Sequence, residues 1–181
     1  MDITIKSYKN ENEQKEKFML YGQLSEIDRF KVTRDYYKKL LEQYDNLIDL
    51  KYKYECGFSP KYNNWKEKNT DRLTGTSLRC YMKVSFEKLI ELFGWPYIAD
   101  EIMDGQQKSM VEWCLTIPHT NITFSIYNYK DHLQYCSHSG KSIIDITDWH
   151  IGGHDLNIIN HLKEALANEE NISFNILNGW K

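Results

Sequence analysis

Two runs of alternating apolar and polar residues, 110–117 and 122–129, flank Pro118, His119, Thr120 and Asn121. This pair limits the possible folds more than any other stretch. If the four intervening residues close a hairpin, Ile117 faces Ile122, Leu115 faces Phe124 and Trp113 faces Ile126, all apolar and all on one face. The opposite face pairs Thr116 with Thr123, Cys114 with Ser125 and Glu112 with Tyr127. A slip of one residue would mix the two faces, so the sequence specifies the register as well as the strands.

The flanking segments carry compatible patterns. Leu78, Cys80, Met82 and Val84 alternate with Arg79, Tyr81 and Lys83, which predicts a strand with one buried face. Ser85 caps a short helix over 86–93, ended by Gly94 and Pro96. Residues 130–146 read as a long loop. A strand over 147–151 buries Trp149 and Ile151, turns Asp148 and His150 to the polar side, and breaks at Gly152 and Gly153. A second helix runs from about 155 to 168, capped by Asp155, with Leu156, Ile159, Leu162 and Leu166 inward. A last strand over 173–177 closes the sheet.

The order β-α-β-β-β-α, with a terminal β, predicts an α+β fold. It is a two-layer domain over residues 75–181, an antiparallel sheet with two helices on one face. The other face then presents Arg79, Tyr81, Lys83, Glu112, Thr116, Thr123, Ser125, Tyr127, Asp148 and His150.

Residues 1–74 read as an N-terminal extension. A polar arm over 1–24 leads to a helix over about 34–53, with Thr33 as N-cap and Gly57 as stop. Tyr37, Leu41, Tyr44 and Ile48 recur at four-three-four spacing and form its apolar stripe. Residues 58–74 read as a basic-aromatic linker carrying Lys61, Tyr62, Trp65, Lys66 and Lys68.

The 181 residues are 41% hydrophobic and 27% charged, a globular balance, with a formal net charge of −3. That charge supplies no overall attraction to nucleic acid or anionic membrane, although the first 70 residues are slightly basic. No apolar run approaches the roughly 20 residues a membrane span needs, and the N-terminus lacks the apolar segment of a secretory signal. Cys56, Cys80, Cys114 and Cys136 are too widely spaced for a disulfide scaffold. The expectation is reduced thiols and a cytoplasmic setting.

Five segments occur in a recognisable order: Gly75-Thr76-Ser77-Leu78, Phe93-Gly94-Trp95-Pro96, Glu112-Trp113, Ile126-Tyr127-Asn128-Tyr129-Lys130 and Trp149-His150-Ile151-Gly152-Gly153. The series resembles an uncharacterised domain carried by large DNA viruses and bacteriophages, over about residues 75–168. In that family the hairpin often turns through Asp-Gly, whereas this chain has Pro-His-Thr-Asn. The resemblance implies a virus- or phage-encoded protein, acting in the cytoplasm of an infected host cell, and transfers no catalytic residue.

Several motifs invite a chemical reading. The segment from Tyr135 to Ser142 ends in Gly140-Lys141-Ser142, like a phosphate-binding loop, but Tyr135 stands where the first glycine belongs and no strand leads in. His119, His132, Cys136 and His138 lack the spacing of a zinc site. No metal or cofactor is expected.

His150, Gly152, Gly153 and His154 form a strand-to-helix turn that offers two protonatable rings and close backbone approach. The structural alternative is a tight connection in which glycine supplies unusual backbone angles and Asp155 caps the helix. No nucleophile, base and orienting acid stand in a recognisable arrangement.

The resulting expectation is a non-enzymatic interaction protein that binds a host or viral protein, with counter-defence as a fitting role. Its contact residues are Tyr81, Lys83 and Tyr127 on the sheet and Trp65 and Lys66 on the linker. Two alternatives stand beside it. One is a nucleotide-binding protein or phosphodiester enzyme built on His150, Gly152, Gly153 and His154. The other is a binder of single-stranded nucleic acid on the open sheet face.

Overall fold

The computed structural model describes residues 26–55, 57–67, 70–99, 108–118, 120–136 and 139–176. The predicted arm over 1–24, together with Cys56, Lys68, His119, His138 and Leu177, lies outside the described residues.

The fold is α+β. Among the described residues six antiparallel strands form one sheet: β1 (Ser77–Lys83), β2 (Tyr97–Ile98), β3 (Val111–Ile117), β4 (Ile122–Tyr127), β5 (Asp148–Gly153) and β6 (Ser173–Ile176). Their spatial order is β2-β3-β4-β5-β1-β6. The hairpin β3–β4 adopts the register that the alternation requires, from Glu112 opposite Tyr127 to Ile117 opposite Ile122. Trp113, Leu115, Phe124 and Ile126 are buried, as are Trp149 and Ile151 of β5. Among the described strands sequence patterning misses β2, whose two residues are too short to show a period.

Two helices close the core. Helix α2 (Phe86–Phe93) starts where the Ser85 hydroxyl accepts from the Lys88 amide, at 3.2 Å. It stops at Gly94, whose φ of +80° is a left-handed conformation that suits glycine. Helix α4 (Ile158–Ala165) buries Ile158, Ile159 and Leu162. Both join the cluster that contains Trp113, Trp149 and Phe124, so helices and inner sheet face share one core.

Several local expectations need correction. First, β1 carries a bulge between Leu78 and Cys80. The extra residue reverses the strand's parity, so Leu78 pairs with Gly152 on the outer row and only the segment from Cys80 onward keeps the predicted faces. Second, β5 continues through Gly152 and Gly153, which pair with Ser125 and Phe124 of β4, so the glycines do not break it. Neither has a positive φ.

Third, α4 begins at Ile158, and Leu156 is 76% exposed. The Asp155 carboxylate accepts from the Asn157 amide at 2.7 Å, forming a local turn ahead of the helix instead of capping it. The predicted loop over 130–146 also contains a single helical turn, α3 (Leu133–Cys136).

Fourth, α1 (Glu26–Glu55) is longer than predicted and contains Thr33 in its body. It turns Leu40, Gln43 and Leu47 inward, not the predicted stripe. Its carboxy-terminal half is fixed at several points. The Gln43 side-chain oxygen accepts from the Ile143 amide at 3.0 Å. Lys53 and the Tyr54 hydroxyl both reach Glu87 of α2. These partners place α1 against α2 and the loop before β5, so the outer sheet face is not what it covers.

The segment read as a linker is packed. Trp65 is 5% exposed, with its ring against Tyr62, Phe93 and Phe124. Glu169, just past α4, accepts from Tyr62 at 3.0 Å and pairs with Lys61 and with Lys88 at 3.3 Å. Burial pushes the Glu169 carboxyl up, but those three hydrogen bonds outweigh it and hold the group below the usual carboxylate range.

Candidate functional site

The outer sheet face is built in cross-strand rows. Lys66 bridges Leu115 at the β3 edge, and from there the chain passes onto this face. The Glu67 carboxylate accepts from the Thr116 hydroxyl, and Thr116 and Thr123 lie 3.0 Å apart. Arg72 pairs with Glu67 and donates to the Asn121 carbonyl at 3.0 Å. Glu67 and residues 70–76 therefore form a strap over the hairpin end, beside the buried Thr123.

Beyond the strap one row runs across all six strands. Tyr97 is opposite Glu112, Glu112 opposite Tyr127, Tyr127 opposite His150, His150 opposite Tyr81, and Tyr81 opposite Asn175. Alternation places these six residues on one face. At the usual strand spacing the row is about 24 Å long.

His150 sits at its middle. Its ring stacks on Tyr127 (centroids 5.4 Å, 27° between planes) and meets Tyr81 edge-on at 4.8 Å. Tyr129 adds a third ring at 5.4 Å. Tyr129 shares the parity of Tyr127, a signal the sequence does carry. Gly152 makes the packing possible: a Cβ there would lie 3.1 Å from the Tyr127 ring and 3.0 Å from the Ser125 hydroxyl.

The row is aromatic, with Glu112 as its one carboxylate. Burial pushes the Glu112 carboxyl up against a hydrogen bond from Ser125, and burial raises the Tyr127 phenol too. Lys83 is exposed one row further on, opposite Asp148.

Burial also lowers the His150 pKa, against a smaller opposing pull from Asp131. Its Nδ1 is buried without a partner, as suits the unprotonated nitrogen of a neutral ring. Because the folded pKa lies below the unfolded one, the neutral ring contributes stability above the unfolded value of about 6.5. That contribution declines as the pH falls through this value toward the folded pKa. Glu87 and Glu169, whose pKa values are lowered, lose theirs only in the more acidic carboxylate range.

The melting temperature should therefore fall between pH 7.5 and pH 5, and a His150→Phe variant should show a smaller fall over the same interval. Parallel profiles for the two proteins would refute the assignment.

The other sequence candidates take up structural roles. Arg79, at the bulge, donates to the carbonyls of Gly153 and His154 at 2.7 and 2.8 Å, which braces the turn to α4. His154 is exposed, and Asp155 occupies the Asn157 amide. Thus His150 belongs to the tyrosine row, while Gly153 and His154 belong to the braced turn. Trp65 lies in the core. Lys66 is exposed and donates to the Trp95 carbonyl at 3.1 Å.

Gly140 packs against the backbone of His132, where a Cβ would come within 2.4 Å of the carbonyl oxygen. Close packing accounts for the glycine in the Gly140-Lys141-Ser142 sequence. The buried His132 faces the Gln134 side-chain oxygen at 3.2 Å, and the Cys136 thiol donates to the Lys130 carbonyl. Among the described residues no three His, Cys, Asp or Glu side chains are grouped to hold a metal. Burial pushes the Cys80 and Cys114 thiols up to about 11, so neither is an activated nucleophile at neutral pH. Among the described residues no helix is long and apolar enough to cross a membrane.

Comparison with family models, with curated proteins and with solved structures finds no match to this chain.

Proposed function

We propose that the chain is a non-enzymatic interaction protein whose outer sheet face contacts another protein through the row Tyr97, Glu112, Tyr127, His150, Tyr81 and Asn175. The observation that carries the reading is the row itself: three tyrosines and a histidine aligned across six strands, with Tyr97 and Asn175 exposed at its two ends. Tyrosine offers a large apolar ring with a polar tip and is enriched in protein interfaces.

Charge favours protein over nucleic acid. Phosphates approaching the row would meet Glu112 and Asp148, with Lys83 as the cation placed opposite Asp148. The sequence resemblance supports a viral or phage setting, in which a host or viral protein is the partner and counter-defence a fitting role.

The test is affinity capture with the full chain and with a Tyr81→Ala/Tyr97→Ala variant from the same cell lysate. Proteins retained by the wild type and lost with the variant, at an unchanged melting temperature, support the row as the contact surface. Identical retention by both would sink it. Single-strand binding that weakens steeply with salt and is lost in the variant would reassign the row to nucleic acid.

A further inference from the structure

The apolar stripe that periodicity assigns to the core lies on the outside of α1. Tyr37 is 50% exposed, Leu41 65% and Ile48 50%, with Tyr44 half-buried between them. Four-three-four spacing is the seam of a coiled coil, a narrow line of contact that stays on one side of the helix. The chain's own domain takes the neighbouring line of Leu40, Gln43 and Leu47.

The charges beside the seam are divided about its midpoint. On its outer flank Arg34 and Lys38 come before, and Asp45 and Asp49 come after, all four exposed. Arg34 also pairs with Asp35 at 3.2 Å, on a surface where water competes with the contact.

We propose that α1 pairs with α1 of a second copy of this chain, antiparallel, about a two-fold axis between residues 42 and 43. Tyr37 then packs on Ile48 of the other copy, and Leu41 on Tyr44. The same rotation sets Lys38 beside Asp45 and Arg34 beside Asp49 across the interface. A parallel pair would bring neither Lys38 to Asp45 nor Arg34 to Asp49, so the division of charge favours the antiparallel one. The contact is isologous, so it closes as a dimer and leaves the tyrosine row free for a different partner.

Sedimentation equilibrium of the full chain tests this. The wild type should dimerise with rising concentration. Leu41→Glu/Ile48→Glu should weaken dimerisation by at least about a hundredfold while leaving the melting transition intact, because both positions are exposed and glutamate suits a helix. Lys38→Asp alone and Asp45→Lys alone should each weaken the dimer, and the double exchange should restore it.

A wild type that stays monomeric at its highest soluble concentration overturns the proposal, as does a dimer indifferent to the glutamate substitutions. A dimer that responds to those substitutions but is not restored by the charge exchange overturns the antiparallel arrangement.

Discussion

Replacing Trp149 with alanine is expected to lower unfolding stability by about 3–5 kcal/mol, read as a drop in the urea midpoint at unchanged slope. The indole is fully buried, stacks on Phe86 at 6.0 Å and meets Trp113 edge-on at 5.4 Å. Its N–H donates to the Val84 carbonyl at 3.0 Å, tying β5 to the end of β1. Alanine would leave a cavity between sheet and α2 and strand that carbonyl, and the two costs add. Because domains of this size are stable by only about 5–15 kcal/mol, the measurement belongs at low temperature. Trp149→Phe keeps most of the ring volume and should lose about 1–2 kcal/mol, the share of the hydrogen bond and residual packing. A loss below about 1 kcal/mol for alanine would mean that Trp149 is outside the core, and the parity of β5 would be wrong.

Asn128 carries the second large effect, for a different reason. It is fully buried at the end of β4, and its side-chain oxygen accepts from the amides of both Met110 and Val111 at 2.9 Å. Alanine would leave two buried backbone donors without an acceptor, at about 1–3 kcal/mol each. Amide exchange at Met110 and Val111 should accelerate by more than the change in global stability accounts for. Asn128→Asp retains the acceptor for both amides and gives up an NH2 group that has no partner, at the cost of burying a carboxylate. At neutral pH it should be more stable than Asn128→Ala. The reverse order would show that burying the carboxylate costs more than its two amide bonds return.

The fold was largely legible because its strongest signals are local. The pairing of Trp113 with Ile126 and of Leu115 with Phe124 follows from alternation on two adjacent runs joined by four residues. The Ser85 cap and the Gly94 stop likewise need only their own neighbours. The candidate site was legible in part. Tyr81, Tyr127 and His150 were all placed on the outer face, and both tyrosine rings touch His150. Their alignment with Tyr97 was hidden, since β2 is two residues long and pairs with a strand some fifteen residues later.

The misreadings share a cause. α1 has apolar residues on two adjoining lines, Tyr37-Leu41-Tyr44-Ile48 and Leu40-Leu47-Leu50-Tyr54, and helical periodicity fits either. Which line is buried depends on where Ile143 and Glu87 lie, and those residues are distant in sequence. Trp65 reads as a contact residue because it stands in a basic-aromatic stretch with Lys61, Tyr62, Lys66 and Lys68; the space it fills is made by Phe93 and Phe124.

The sequence by itself therefore determined the two faces of the hairpin, the boundaries of α2 and the α+β class, because each depends on periods and caps set within a few residues. Only the tertiary structure decided the β1 bulge that moves Leu78 to the outer face, the side of α1 that meets the domain, and the strap that leaves one tyrosine row uncovered. Those outcomes rest on contacts between segments far apart in the chain, where packing volume and hydrogen-bond partners outweigh local pattern.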